Sequence, residues 1–235
     1  MGYLIMKIQN MKKCKSTLAK KLLVTIGIIT LTMSASVHAQ EDSGWFLKPS
    51  FGISTLSNQT GTASDAGAFN GEWDVNTSSG FNAGLGLGYQ YNHNVSVELY
   101  WEYRTNDTDT TLAATGEVFE GNYASNMFYL NGYYHFTTDN AWKTYVGAGI
   151  GWTQEIDIDI EQNGVESSYS GDGDIGFQLM VGADYKISEN LTMNGEVRYG
   201  LMSSIDLEAE ENATGTVTGF DYNPLTVGVG LKYRF

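Results

Sequence analysis

Between residue 44 and the C-terminus, apolar side chains recur at every second position in eight separate runs. The last run, GVGLKYRF at 228–235, sets Val229, Leu231, Tyr233 and Phe235 against Gly228, Gly230, Lys232 and Arg234. A period of two belongs to an extended strand with two unlike faces, because successive side chains point opposite ways. The runs are 44–56, 80–91, 95–105, 122–137, 142–156, 174–187, 191–204 and 222–235. Their connections alternate in length. Asn92–Asn94, Thr138–Ala141 and Ser188–Asn190 are short; 57–79, 106–121, 157–173 and 205–221 are long. Such a meander can close on itself and leave no strand edges. The predicted fold is all-β: an eight-stranded antiparallel up-and-down transmembrane β-barrel.

Alternation alone does not say which face is outside, because a soluble barrel alternates in the same way. Four features choose the membrane arrangement. Glycines crowd the polar face (Gly84, Gly86, Gly88, Gly147, Gly149, Gly151, Gly228, Gly230), which makes room for large side chains inside a narrow barrel. Aromatic residues cluster near strand ends on the apolar face, as at Trp45, Tyr89, Tyr91, Trp101, Tyr103, Phe136, Trp142, Trp152 and Tyr185; rings with a polar edge suit a membrane interface. Every Lys and Arg after residue 40 has polar-face parity (Lys48, Arg104, Lys143, Lys186, Arg198, Lys232, Arg234). The four long connections hold 17 acids and no Lys or Arg.

The N-terminus begins with six lysines between 7 and 21, continues with LLVTIGIITLTM and exits through SASVHA. A basic start, a short apolar core and small residues before a cut predict a signal peptide over 1–39. The apolar run is about 12 residues, whereas a spanning helix needs about 20. The remaining part, 40–235, is predicted to be one domain. It keeps seven cations against 27 acids, a net charge of −20, which excludes nucleic acid as a partner because phosphate binding needs cations. Cys14, the only cysteine, lies in the predicted leader.

A signal peptide, eight alternating strands and a terminal Tyr233-Arg234-Phe235 together resemble the small outer-membrane β-barrel proteins of Gram-negative bacteria. These include the transmembrane domain of outer membrane protein A and the outer membrane protein X group. The resemblance covers residues 40–235. It implies an outer-membrane location, short turns in the periplasm, long loops outside, and recognition of Tyr233 and Phe235 by the barrel assembly machinery. It also implies contact of the loops with extracellular proteins or host surfaces. The peptidoglycan-binding domain of outer membrane protein A is not matched, so the resemblance does not extend to a cell-wall tether.

Eight strands enclose an interior that side chains nearly fill, so a wide pore is excluded. A lumen charge cluster of Glu98, Glu102, Glu196 and Arg198 is expected, with Lys143, Asp184, Lys186, Lys232 and Arg234 near the periplasmic end. The cluster reads as a plug, or alternatively as the gate of a narrow channel for ions or small solutes. EIDIDIEQNGVESSYSGDGD, with the turn signal Asn163-Gly164, predicts acidic hairpins beyond the lipid, with edges that a partner strand can join. Asp157, Asp159, Glu161, Asp172 and Asp174 are weighed as a Ca²⁺ site, but the full calcium-loop pattern is absent. His93 and His135 lie in or beside short turns without metal-ligand spacing, so no catalytic residue, metal or cofactor is expected. The reading is a monomeric, structural and surface-interacting barrel.

Overall fold

The computed structural model describes residues 43–136, 141–210 and 212–235. The predicted leader and most of the turn at Thr138–Ala141 lie outside the described residues. The strands are β1 (Gly44–Thr55), β2 (Gln59–Ser64), β3 (Gly71–Thr77), β4 (Gly80–Gln90), β5 (Val95–Leu112), β6 (Val118–His135), β7 (Trp142–Gln162), β8 (Val165–Gly171), β9 (Ile175–Lys186), β10 (Leu191–Ala209), β11 (Thr216–Tyr222) and β12 (Leu225–Arg234). Among the described residues there are therefore twelve strands in one antiparallel sheet, not the eight expected. The reason is that the long connections are themselves paired strands rather than open loops.

Two circuits of ladders can be followed. The first runs β1–β4–β5–β6–β7–β9–β10–β12 and returns to β1. The second, here called the crown, runs β5–β6–β7–β8–β10–β11–β2–β3 and returns to β5. Long strands β5, β6, β7 and β10 pass through both. Each long connection is thus a hairpin, and neighbouring hairpins pair with each other. The turn between β7 and β8 is the predicted Asn163-Gly164, with φ of 55° and 75°, the left-handed pair of a tight hairpin.

The two circuits have opposite polarity. In the first, apolar side chains point outward: Leu47, Phe51, Ile53, Leu85, Leu130, Ile150, Leu179, Val227 and Val229 are all exposed. The predicted end aromatics flank this band and touch each other, as in the Trp45–Tyr89 and Trp142–Tyr185 pairs at 5.3 and 4.8 Å. Polar and charged residues fill the inside. In the crown, apolar residues point inward and form a core that includes Trp73, Leu112, Phe119, Tyr123, Tyr169, Val217 and Phe220.

On β7 the reversal comes from one extra residue. Asn126 pairs with Glu155 and its neighbour Met127 with Thr153, so Gln154 has no partner and forms a bulge. Below it the even positions Ile150 and Trp152 lie on the outer face; above it Ile156, Ile158 and Ile160 are 0% exposed. The β10–β11 ladder shifts between Met202 and Ile205. There Leu201 is exposed, while Ile205 and Leu207 are buried. Inward glycines do make room as expected: a Cβ at Gly86 would lie 2.5 Å from the Glu98 carboxylate.

Candidate functional site

The interior of the first circuit is a chain of polar contacts stacked along its axis. At the short-turn end Lys232 Nζ meets Asp184 Oδ2 at 2.5 Å. Asn194 bridges Asp184 to the Tyr145 hydroxyl, which donates to Glu196 at 2.9 Å. Arg198 then joins Glu196 (2.5 Å) to Glu102, and Arg104 reaches the other oxygen of Glu102 at 2.5 Å. Arg104 continues to Tyr222 and Thr226 at 3.1 and 2.9 Å. The guanidinium of Arg198 also lies 4.3 Å over the Tyr100 ring, a cation–π placement.

Three of the four expected cluster members, Glu102, Glu196 and Arg198, come together. Glu98 does not join them. It lies nearer the short-turn end, pairs with Lys48 at 2.9 Å and accepts from the Tyr133 hydroxyl at 2.9 Å. Arg104 was missed as a cluster member and Lys48 as the partner of Glu98, although their polar-face parity was visible. The inward tyrosines 100, 133 and 145, all buried, were not singled out from the sequence. Inside the circuit four cations (Lys48, Arg104, Arg198, Lys232) meet four carboxylates (Glu98, Glu102, Glu196, Asp184), so the contacts are balanced in charge. Two voids of about 10 Å³ each adjoin this network. A single water needs roughly that much room.

His135, beside its short turn, is buried. Its Nε2 lies 3.0 Å from the Ser96 hydroxyl and its Nδ1 3.7 Å from Asp184. This has the order of a nucleophile–base–acid relay. Ser96 is 1% exposed, however, and the void beside it is about 10 Å³. An acyl substrate does not fit there, so the contacts read as packing. Lys143, Lys186 and Arg234 line a larger cavity of about 160 Å³ at the same end.

The outside of the crown carries exposed acids, among them Glu72, Asp74, Asp107, Asp109, Glu161 and Glu208. The five residues weighed for Ca²⁺ are not gathered into a site: no three His, Cys, Asp or Glu side chains among the described residues form a metal cluster. Asp157 lies five residues beyond Trp152 at the edge of the apolar band, about 16 Å along the strand. Its partial burial, with Asp159, Glu155, Glu210 and Glu166 nearby, pushes its pKa from 3.8 up to about 6. A raised carboxyl favours the protonated fold, so this contribution is present in full below pH 3.8 and lost as pH rises through 6. Asp157→Asn is therefore expected to raise crown stability at pH 7.5 by about 1 kcal/mol after allowing for solvent screening. At pH 4 the urea midpoints of variant and parent should nearly coincide. An equal gap at both pH values would assign the gain to packing instead.

With this geometry in place, the comparisons fit. The family described as the outer membrane protein beta-barrel domain matches residues 26–235. The chain belongs to this family. It is an outer-membrane protein. A relative, the uncharacterized outer-membrane protein y4mB of Sinorhizobium fredii, is 29% identical over 103 residues, 43% of this chain and 44% of that protein, so the match spans less than half of the relative. Outer membrane protein OprG from Pseudomonas aeruginosa superposes with a TM-score of 0.60 at 17% identity, covering 83% of this chain and 98% of OprG. Neisserial surface protein A gives a TM-score of 0.50 at 14% identity, with 82% and 99% covered. At these identities the likeness is one of fold.

Proposed function

We propose that this outer-membrane protein is an eight-stranded transmembrane barrel with a plugged lumen, and that it acts through its extracellular crown as a structural and surface-interacting protein. The observation that carries this reading is the filled interior. A charge-balanced network occupies the membrane level, voids beside it hold about one water each, and an apolar core lies above it. A gate needs a wet path, and neither layer supplies one.

The apolar outer band of the first circuit faces lipid in this reading, and the acid-coated crown faces water. The short turns then lie in the periplasm, residues 1–39 are the export signal, and no chemistry is catalysed. Tyr233 and Phe235, outward and 52% and 66% exposed at the end of the closing strand, are accessible to the assembly machinery. The closed crown changes the expected mode of contact. Its hairpins already pair with each other, so strand addition by a partner gives way to side-chain contact. The exposed carboxylates suit a basic partner, and electrostatic attraction of that kind weakens with salt.

Planar-bilayer recording tests the plug. The refolded chain, with folding verified by its heat-dependent gel shift, is expected to give no discrete steps. Reproducible unitary currents that Arg198→Ala alters would replace the plug with a gate and make the protein a narrow channel.

A further inference from the structure

We propose that the cavity at the short-turn end binds an oxyanion, a phosphate or carboxylate group. Four of the seven cations between residues 40 and 235 line this single cavity: Lys143, Lys186, Lys232 and Arg234. Asp184 and Glu189 are the carboxylates in its wall. Asp184 is engaged by Lys232 at 2.5 Å. Arg234 approaches the backbone oxygen of Glu189 at 3.5 Å, not its carboxylate. Lys143 and Lys186 enter no ion pair among the described residues.

The contrast with the rest of the interior carries the inference. Deeper in, each cation meets a carboxylate. Here, among the described residues, Lys143, Lys186 and Arg234 meet no carboxylate, on a concave surface, in a part of the chain whose net charge is −20. A concave wall of one sign concentrates its field and draws in counter-ions. The donors are lysine ammonium groups and a guanidinium, which form strong charge-assisted bonds to phosphate and carboxylate oxygens. The rim is also held in place: Asn190 Nδ2 donates to the Arg234 carbonyl at 2.7 Å. The volume of about 160 Å³ is many times the roughly 10 Å³ that one water needs. That admits one phosphate or carboxylate group and excludes a folded partner.

Such a group has two sources, a lipid headgroup of the inner leaflet or a soluble periplasmic anion. The placement of the cavity in the periplasm rests on the orientation proposed above; its chemistry does not.

The test is calorimetry on the refolded full chain in zwitterionic micelles at low salt. Inorganic phosphate is titrated first, then phosphatidylglycerol doped into the same micelles. Saturable binding is expected, weakened about tenfold in the K143Q/K186Q double variant while the gel shift is retained. Binding of phosphate assigns a site open to soluble anions. Binding of phosphatidylglycerol alone, lost in the same variant, assigns a headgroup site. No saturation with either ligand, or binding unchanged in the variant, overturns the proposal. Orientation is read separately, from Lys186→Cys and a polymer-linked maleimide too large to cross the outer membrane. Labelling of intact cells would overturn the orientation, and calorimetry would still judge the oxyanion site.

Discussion

Arg198→Met is expected to destabilise the folded barrel by about 3–5 kcal/mol, and adding Glu196→Leu is expected to restore part of that loss. Among the described residues Arg198 alone makes an ion-pair contact with Glu196, and it shares Glu102 with Arg104. Without the guanidinium, Glu102 keeps Arg104. Among the described residues Glu196 keeps one direct side-chain donor, the Tyr145 hydroxyl at 2.9 Å, and loses its contacting cation. Its lost solvation is then offset only in part, by the charge of Lys48, which is itself paired with Glu98. Removing Glu196 as well takes away the stranded charge and leaves a neutral cluster of Glu102 and Arg104. Urea midpoints followed by gel shift in micelles read the difference. Equal midpoints for the single and double variants would show that the Arg198–Glu196 pair is not what holds the level together.

This prediction takes Arg198, Glu196 and Glu102 from the sequence and Arg104 from the structure. That Arg198 and Glu102 point inward was legible from parity, because an even-numbered cation on β10 and an even-numbered acid on β5 share the face that carries glycines elsewhere. Their height in the barrel was not legible, since height depends on ladder register: Arg198 stands opposite Thr226 and Met180, and Glu98 opposite Asn131 and Gly88. Glu98 consequently falls to the level of Lys48. The extent of the strands was hidden for a different reason. Residues 59–64 and 71–77 are rich in Gly, Ser, Thr and Asn, which read as a loop, yet they pair because neighbouring hairpins offer them backbone partners, whereas the 165–171 arm was legible from Asn163-Gly164. The reversal at Gln154 was also hidden. The isoleucines keep even numbers from Ile150 to Ile160, so the pattern on paper is unbroken while the face it marks passes from lipid to core. The clue available was chemical. An isoleucine run among acids beyond the aromatic girdle has no lipid to face and must turn inward.

Ile158→Asp tests that inversion and should have the largest local effect of any single change in the crown. Ile158 is 0% exposed and lies in the core with Ile156, Ile160 and Tyr169. The substitution gives up the burial of a whole isoleucine side chain, about 2–3 kcal/mol, and places a carboxylate where no described cation reaches. Together these amount to at least about 5 kcal/mol, enough to open a unit joined to the lower circuit by four strands. The lower circuit has its own ladders and its own charge-balanced filling, so the gel shift is expected to persist while protease cuts the hairpins of the crown. The neighbour supplies the control. Asp157 points the other way, and Asp157→Asn should leave the hairpins as resistant as in the parent at pH 4. Protease resistance of Ile158→Asp would mean that β7 continues past Thr153 without the bulge and holds its acids inside. The same variant also separates the two layers of the plug. Even with the crown open, the bilayer should stay silent, because the space beside Arg198 and Glu196 is still that of about one water. Currents appearing only in Ile158→Asp would move the seal from the ion pairs to the apolar core above them.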